Sequence, residues 1–333
     1  MNLSLKYRPL TFEDVCGQQS IIKILNKQIE TNTFRNCYLF AGPSGCGKTT
    51  IARIMANKIN KGIGSPIEID GASNNGVDNV RVIIDSANER SFDGEYKIYI
   101  IDECHQITTA GWNAFLKCIE EPPKYTIFIF CTTDPQKVPL TIKNRCQVFN
   151  LARISDSKIK ERLNMICSSE GYLANEGGID SIVRLSDGSM RQAITYLDKV
   201  KDYSLNITEE NVSECLGVCN YDTFFDLTNA RIDGDRQKII SIIDSVYNKG
   251  IDLRIFVNDY INFILDLCKY CLFNSLEITK LSKTFEGKIK YTTNIDNKSQ
   301  FFNNYLENLL NIKQRIKGDS NIKSTIEIML IGG

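Results

Sequence analysis

Residues 42–49 read Gly42-Pro43-Ser44-Gly45-Cys46-Gly47-Lys48-Thr49. They match the phosphate-binding loop G-x-x-x-x-G-K-[ST] at every fixed position. Glycines let the backbone curl around a polyphosphate, so that successive N–H groups and a helix N-terminus point at the anion. Lys48 can then reach the β- and γ-phosphates, and the Thr49 hydroxyl can ligate Mg²⁺. We predict a nucleotide site formed by this loop and by Thr50, which follows it.

The sequence on either side of the loop provides the context that the motif requires. Residues 37–41, CYLFA, form a short apolar run typical of a buried strand. Residues 50–56 place Ile51, Ile54 and Met55 at helical spacing. A chance glycine-rich turn would lack this order of strand, loop and helix, so the context favours the nucleotide site.

Length and charge limit the classes of protein that this chain can belong to. Its 333 residues favour two or three domains. Lys plus Arg and Asp plus Glu both total 40, so any nucleic-acid contact has to come from a local patch or from helix ends. No apolar run approaches the roughly 18 residues of a membrane span, and the start, MNLSLK, lacks a secretory apolar core. We expect a cytoplasmic protein with no membrane segment.

The chain has twelve cysteines and one histidine, His105. In a reducing compartment, cysteines are expected as buried small apolar side chains rather than as disulfides. Cys215 with Cys219 and Cys268 with Cys271 could form a zinc set, but these spacings also simply share one face of a helix. A single histidine excludes a His-dependent triad elsewhere. We favour free thiols over a metal site.

Residues 97–103 form an apolar strand that ends in two carboxylates, the second half of a site that splits nucleoside triphosphates. Asp102, at the strand end, can hold Mg²⁺ through water, and Glu103 can orient or deprotonate the attacking water. The sequence DECH over residues 102–105 also matches the DExH motif of two-lobed helicases. Those motors need a second α/β half, whereas the rest of this sequence turns helical, which disfavours them.

The alternation of apolar runs and amphipathic helices predicts an α/β fold with a parallel five-stranded sheet. The predicted strands are 37–41, 66–69, 97–101, 126–131 and 147–151. From Ile154 the strand pattern stops, and a small helical lobe is followed by long amphipathic helices, with a polar loop predicted over 282–299. We predict domains at 1–152, 153–218 and 219–333, the last being an autonomous bundle or an assembly surface.

Three further features each have two interpretations. The extended segment from Tyr7 to Gln18 could cover an adenine ring or pack as a strap on the core. The turn at 71–76 opens a helix whose N-terminus could receive a phosphate or could only be capped by its own side chains. Thr132 and Thr133, at the end of the fourth strand, could sense the γ-phosphate or cap a turn.

The order of these motifs resembles that of the gamma/tau subunits of the bacterial DNA polymerase III clamp loader. Members of this family are AAA+ ATPases. The resemblance is specific over residues 1 to about 200 and weaker beyond. The stretches that carry it are Lys6–Pro9, Phe12–Val15, Gly17-Gln18, Gly42–Thr49, Glu68–Val77, Tyr99–His105, Asn113–Lys117, Glu120–Pro123, Thr132–Lys137, Asn144–Cys146 and Gly188–Ala193.

The resemblance implies an AAA+ P-loop NTPase domain, a small helical lid and an all-α collar that holds a pentameric assembly together. It implies that Thr133 is sensor 1 and that Arg191, on the lid, is sensor 2. Arg145 is implied to be a finger that reaches the nucleotide of a neighbouring subunit, and such fingers raise the rate by roughly 10³–10⁵. The residues implied near the adenine are Tyr7, Arg8 and Val15.

We therefore expect an ATP-hydrolysing motor subunit of a sliding-clamp loader in DNA replication, which binds ATP and Mg²⁺. Its expected partners are the sliding clamp, primer-template DNA and other loader subunits. Catalysis is assigned to Lys48, Glu103, Thr133, Arg145 and Arg191. The alternatives are a structural loader subunit or another AAA+ DNA remodeller of the branch-migration type. DNA would be held through its phosphates, and the candidate contacts are Ser73, Asn74, Asn75 and Arg81.

Three departures from the family pattern matter. Asn144 replaces the serine that precedes the finger arginine. Only residues 60–65 stand where the bacterial proteins carry a four-cysteine zinc module, so we expect no zinc. The chain stops where the collar would end, and we expect no tail for a helicase or a polymerase. A compact loader of this sort would suit a phage or a minimal replicon, and hence a bacterial or phage-infected cell.

Overall fold

A five-stranded parallel sheet forms the centre of the N-terminal part of the chain. The computed structural model describes residues 2–91 and 93–332. The strands pair in the order β2-β3-β4-β1-β5, and every pair is parallel, which confirms the predicted α/β fold. Their bounds are β1 Cys37–Ala41, β2 Ile67–Asp70, β3 Lys97–Asp102, β4 Thr126–Thr132 and β5 Gln147–Asn150.

Helices and two 3₁₀ turns connect these strands. The Thr108 hydroxyl caps the helix that follows β3, accepting a hydrogen bond from the Gly111 N–H at 3.1 Å. Pro122 and Pro123 follow the end of that helix, because proline cannot continue one. The 3₁₀ turns are Cys104–Gln106 and Pro135–Lys137. The helices are α1 Leu3–Lys6, α2 Gln19–Glu30, α3 Lys48–Ile59, α4 Val77–Ala87, α5 Thr109–Glu120 and α6 Leu140–Lys143.

The three central strands of the sheet, β3, β4 and β1, are buried on both faces. Successive side chains of a strand point to opposite faces, so β4 contributes to two separate cores. Its Ile127 and Ile129 pack in the core that includes α2 and α3. Its Phe128 and Phe130 pack in the core that includes α4 and α5. All residues of β4 are buried, which is why the strand reads as a continuous apolar run.

The chain packs as two compact units. The first comprises Met1–Ile166 and Leu185–Thr195 and contains the sheet. The second comprises Cys167–Arg184 and Tyr196–Gly333. The boundary between the units falls inside the segment that the sequence analysis assigned to a lid, and the division into domains at residues 152 and 218 stays a prediction.

Helices make up most of the remaining chain. Among the helices that the structure describes, none combines the length and the apolar character needed to cross a membrane. Their bounds are α7 Asp156–Glu170, α8 Glu176–Ser186, α9 Met190–Tyr203, α10 Glu209–Leu216, α11 Tyr221–Ile232, α12 Arg236–Asn248, α13 Leu253–Phe273, α14 Glu286–Thr292, α15 Lys298–Arg315 and α16 Ile322–Gly332.

Two local predictions were wrong. Residues Leu173–Ala174 (β6) and Asn206–Ile207 (β7) pair in parallel, although no strand was predicted beyond Ile154. A strand of two residues is too short to show any periodicity. The stretch 282–299, predicted as a polar loop, contains the 3₁₀ turn Lys283–Phe285 and helix α14. The one fully buried apolar side chain of α14, Ile289, gave too weak a pattern to detect.

Helices α11 to α16, which belong to the second unit, share an aromatic and aliphatic core. The ring centroid of Phe224 lies 5.6 Å from that of Phe256 and 5.4 Å from that of Tyr260. The Tyr260 hydroxyl lies 3.0 Å from Thr228 Oγ1 and 2.9 Å from the Tyr305 hydroxyl. These buried hydroxyls therefore satisfy one another, as buried polar groups in a core must.

The cysteines are free thiols, and most of them are buried. Burial raises the pKa of Cys219 to about 12 and that of Cys268 to about 11, so both stay neutral at physiological pH. Within the described part of the chain, no group of three or more His, Cys, Asp or Glu side chains is placed to hold a metal ion.

We expect Phe130→Ala to lower the free energy of unfolding by about 3–5 kcal/mol. Phe130 is fully buried, and its ring packs against Trp112 and Phe115 at centroid distances of 5.3 and 5.7 Å. Chemical denaturation followed by circular dichroism measures the change. Phe273, 67% exposed, provides the matched control, and Phe273→Ala should change stability by less than about 0.5 kcal/mol. Equal losses in the two variants would contradict the placement of Phe130.

Candidate nucleotide site

The phosphate-binding loop connects β1 to α3 and lies at the carboxyl end of a central strand. Gly45 has a left-handed φ of +72°, and a Cβ at this position would lie 2.0 Å from Ser189 Oγ. Conformation and space both therefore require glycine here. Gly47, also left-handed, caps the start of α3. The first N–H groups of a helix have no partner within the helix, so this terminus is suited to an anion.

Lys48 is the buried charge of the site. Only 6% of the residue is exposed, and its Nζ donates hydrogen bonds to the carbonyls of Gly42 and Pro43 at 2.9 and 3.0 Å. These two loop residues thus hold the ammonium through their carbonyl oxygens. A buried cation at the N-terminus of a helix fits a polyphosphate, because both attract negative charge.

The Thr49 hydroxyl donates a 2.8 Å hydrogen bond to Asp102 Oδ2. Thr49 lies in the first turn of α3 and Asp102 ends β3, so the two motifs that the sequence predicted separately come together. Hydroxyl and carboxylate oxygens are the ligand types that Mg²⁺ takes in nucleotide sites. The oxygens present therefore fit that ion.

The Glu103 carboxylate is held by a side chain that follows a second strand, β4. The Thr133 hydroxyl, which follows β4, donates a hydrogen bond to Glu103 Oε2 at 3.0 Å. The backbone of Glu103 is left-handed, with φ +46°, which is uncommon for a residue with a side chain. The glutamate therefore leaves the strand sharply, and Thr133 orients its carboxylate at the edge where the phosphate loop lies.

One cavity joins these groups. Its walls include loop residues, Asp102 and Glu103. The residues from outside the loop that were predicted to contact the nucleotide also line it, namely Tyr7, Arg8, Val15, Thr50 and Arg191. Burial raises the pKa of the Cys46 thiol in the loop, so that side chain adds no negative charge to a site that has to accept phosphates.

The N-terminal segment packs on the core and lines the cavity at the same time. Phe12 is 1% exposed and lies in the same apolar core as Val15. Arg162 donates a hydrogen bond to the Tyr7 carbonyl at 2.8 Å, which ties the segment to α7. The two interpretations of this segment are therefore compatible, and its contact with an adenine ring stays a prediction.

Sequence reasoning missed several residues of the cavity wall. Cys16, Ile154, Arg162, Met190 and Ile194 also line it. Arg162 lies on α7, and Met190 and Ile194 lie on α9. Each of these three occupies an ordinary position in the sequence pattern of an amphipathic helix. Only the packing of these elements reveals their role, so no local signal could have identified them.

Arg145 lies apart from this cavity. Its guanidinium donates a hydrogen bond to the Thr141 carbonyl at 2.8 Å and pairs with Glu120. The next residue, Cys146, has its Sγ 2.8 Å from Cys37 Sγ at the start of β1, so this segment lies against the sheet. The assignment of Arg145 to a neighbouring subunit's site stays a prediction.

The candidate DNA contacts Ser73 and Asn74 are engaged in a local turn. Ser73 Oγ donates to Asp70 Oδ2 at 2.7 Å, and Asn74 Nδ2 donates to the Asp70 carbonyl at 3.1 Å. The Ser73 hydrogen bond, helped by the Ala72 N–H, lowers the pKa of Asp70. A charged carboxylate therefore lies beside these side chains, and a phosphate here would have to compete with it.

Of the other two DNA candidates, Asn75 lies in the turn before α4, and Arg81 lies within α4. The Asn75 carbonyl accepts a hydrogen bond from the Thr108 N–H at 3.1 Å, which joins the turn to the cap of α5. Arg81 forms an exposed pair with Asp78 at 3.3 Å. Exposed pairs of this kind contribute little, so Arg81 is available to an anion. A DNA role for all four residues stays a prediction.

Comparisons with known proteins point to one family. Residues 65–155, which include β2 to β5, match the family model described as DNA polymerase III, delta subunit. Residues 207–331, which include the helices from α10 onward, match the model described as DNA polymerase III subunits gamma and tau domain III. Two separate stretches of the described chain are thus similar to DNA polymerase III subunits.

Whole-chain relatives give the same result. The DNA polymerase III subunit gamma/tau of Mycoplasma genitalium is 32% identical over 298 residues, which cover 82% of this chain and 50% of the relative. The subunit tau of Bacillus subtilis is 35% identical over 305 residues, covering 84% and 54%. The chain therefore spans about half the length of the curated relatives it matches.

Among solved structures, the Thermotoga maritima RuvB Holliday junction branch migration motor aligns with a TM-score of 0.53 at 21% identity. The alignment covers 68% of this chain and 80% of that one. At such low identity the similarity concerns the fold alone. The sequence identity to the polymerase subunits is higher and extends over at least 82% of the chain, and on that basis the chain belongs to the gamma/tau family of DNA polymerase III subunits.

Proposed function

We propose that this chain is an ATP-hydrolysing motor subunit of a clamp loader, which opens a sliding clamp and loads it on primer-template DNA during replication. One observation carries the proposal. The Glu103 carboxylate, oriented by Thr133 at 3.0 Å, lies on the same cavity wall as Lys48, Thr49 and Asp102. This combination supplies a phosphate cradle, oxygen ligands for a cation and a base for water.

Each residue has a defined part in the hydrolysis of ATP. Lys48 and the loop N–H groups would bind the phosphates, and Thr49 and Asp102 would hold Mg²⁺, which would neutralise phosphate charge when bound. Glu103 accepts a proton from the attacking water. Thr133 keeps the carboxylate in place, and we assign to Arg191, on the cavity wall, the neutralisation of charge on the γ-phosphate.

Arg145 completes the site of a neighbouring subunit in this proposal. Its pair with Glu120 is partly exposed, at 36% and 45% of the two side chains, and exposed pairs contribute about 0.2–1 kcal/mol. An arginine finger that raises the rate by roughly 10³–10⁵ stabilises the transition state by about 4–7 kcal/mol. Releasing Arg145 from Glu120 therefore costs little compared with what the finger gains.

We propose further that the second unit joins this chain to other loader subunits in a pentamer. Leu272 and Phe273, at the end of α13, are 58% and 67% exposed, which supports an apolar contact surface there. The expected ligands are ATP and Mg²⁺, without zinc. The expected location is the cytoplasm, because chromosomal DNA is copied there in bacteria. DNA would be held by its phosphates near Ser73, Asn74, Asn75 and Arg81.

Two other functions are distinguishable from this one. A structural loader subunit that does not hydrolyse ATP would not need the intact set of Lys48, Thr49, Asp102 and Glu103. A branch-migration motor is suggested only by the fold that the chain shares with RuvB. ATPase activity stimulated by a sliding clamp with primed DNA, compared with stimulation by a four-way junction, separates these functions.

Lys48→Ala should abolish nucleotide binding, because it removes the buried cation of the loop. Glu103→Gln should bind ATP normally but lose at least about 100-fold in turnover, because an amide cannot take up the proton of water. Fluorescent-nucleotide titration and phosphate release on the complex purified through a tag on this chain measure the two effects.

Asn57→Ala is the matched control for this pair of variants, because Asn57 lies on the same helix α3 with its side chain exposed. It should leave binding and turnover unchanged. If Glu103→Gln kept full turnover, the general-base assignment would be wrong. Tight nucleotide binding by Lys48→Ala would instead exclude the loop as the phosphate site.

Arg145→Ala should lower the clamp- and DNA-stimulated turnover of the complex about 10³-fold or more, while nucleotide binding by the isolated chain stays unchanged. Lys143→Ala, two residues away on α6, is the control and should have no such effect. Steady-state phosphate release with excess clamp and primed DNA measures both variants. Unchanged stimulated turnover in Arg145→Ala would refute the intersubunit role.

A further inference from the structure

The wall of the nucleotide cavity has two parts of different chemical character. One part consists of the phosphate loop with Asp102 and Glu103. The other part presents four apolar side chains, those of Val15, Ile154, Met190 and Ile194. Ligand pockets combine apolar surface with a few polar groups, and a nucleoside triphosphate is divided in the same way into a charged phosphate chain and a flat base. The apolar part of the wall is therefore the place for the base.

The segment Tyr7–Gln18 provides much of this apolar part. Residues 7–18, all within the described part of the chain, form neither a helix nor a strand. Phe12 and Val15 are buried in the core that includes α2 and α3, which anchors the middle of the segment. Without the regular hydrogen bonds of a helix or a strand, the two ends of the segment depend on contacts with other parts of the chain.

Arg162, on α7, holds the first end of the segment. Its Nη2 donates a hydrogen bond to the Tyr7 carbonyl at 2.8 Å, and the bond is partly buried. Hydrogen bonds from a charged donor are stronger than those between neutral groups. Tyr7 and Arg162 both line the cavity, so this bond joins two pieces of the same wall.

Gln18 holds the other end of the segment. Its Nε2 donates a hydrogen bond to the Ala152 carbonyl at 2.7 Å, and its Oε1 accepts one from the Ala152 N–H at 3.2 Å. A backbone N–H can only donate and a carbonyl oxygen can only accept, so Ala152 fixes the orientation of the amide. Both bonds are exposed, and water competes for them, so we expect them to contribute less than the bond of Arg162.

We propose that Arg162 is a positioning residue for nucleotide binding: its hydrogen bond to the Tyr7 carbonyl, assisted by the Gln18–Ala152 pair, holds the segment Tyr7–Gln18 against the base of the bound nucleotide. This inference rests on the proposed function. The phosphates are bound by the loop, at the other part of the wall. Loss of the Arg162 bond therefore weakens contact with the base and leaves contact with the phosphates unchanged.

Tripolyphosphate, the phosphate chain of ATP without its nucleoside, tests the two parts of the wall separately. We expect Arg162→Leu to weaken ATP binding by the chain about tenfold, which corresponds to one hydrogen bond from a charged group. Its affinity for tripolyphosphate should change by less than about twofold. Arg162→Lys keeps a cationic donor and should bind ATP within about threefold of the native affinity. Displacement of a fluorescent ATP analogue in the presence of Mg²⁺ measures both ligands.

Gln18→Leu tests the second contact and should weaken ATP binding about threefold. Gln19→Leu is its matched control, because Gln19 is the exposed first residue of α2, and it should leave ATP binding unchanged. In the complex purified through a tag on this chain, with clamp and primed DNA, Arg162→Leu should raise KM for ATP about tenfold. The kcat at saturating ATP should stay the same, because no group that reacts is altered.

Equal weakening of ATP and tripolyphosphate binding in Arg162→Leu would overturn the proposal. Native ATP affinity in this variant, or equal losses in Arg162→Leu and Arg162→Lys, would overturn it as well. Equal effects of Gln18→Leu and Gln19→Leu would remove the Gln18 pair from it. Thermal unfolding of each variant verifies that the fold is kept.

Lys48→Ala in the same titrations keeps this inference distinct from the proposed function. If Lys48→Ala loses both ligands and Arg162→Leu binds both at the native affinity, only the role of Arg162 is refuted. If Lys48→Ala binds both ligands at the native affinity, the nucleotide site itself is wrong, and the proposed function fails with it.

Discussion

The site depends on one geometric constraint, that parallel strands end at the same edge of their sheet. In the order β3-β4-β1, three neighbouring strands deliver Asp102 and Glu103, Thr133, and the phosphate loop to that edge. The register is fixed by pairing: Ala41 lies opposite Thr132, and Ile101 opposite Phe130. A shift of one residue in β4 would turn Phe128 and Phe130 to the other core and move Thr133 away from Glu103.

Close backbone contacts hold the edge itself. The N–H of Gly71, just after β2, donates to the Asp102 carbonyl at 2.8 Å, and a Cβ on Gly71 would lie 2.8 Å from the same oxygen. Only glycine allows the backbone after β2 to approach Asp102 so closely. The glycine that opens the turn containing Ser73 and Asn74 is therefore also what keeps the end of β3 in place.

The sequence predicted the parts of the molecule that repeat a local pattern. Continuous apolar runs identified the strands, and the spacing of Lys48, Thr49, Asp102 and Glu103 predicted residues that the fold brings together in the candidate site, because these residues follow a motif. What depends on distant packing was not predicted. The contact of Ser189 with Gly45 and the arrival of Arg162 at the cavity join segments far apart in the chain.

The strengths of the contacts divide the site into fixed and movable parts. Lys48 is buried against two carbonyls, and hydrogen bonds to charged groups contribute about 1.5–3 kcal/mol each, so the loop and its lysine form a rigid cradle. Arg145 and Arg153 are held by exposed pairs with Glu120 and Asp187, which contribute about 1 kcal/mol or less. Arg153 and Asp187 join the end of the sheet to the segment that leads to Arg191. In the proposed function, the phosphate cradle stays fixed, and Arg145 can leave Glu120 at little cost in free energy to reach a neighbouring site.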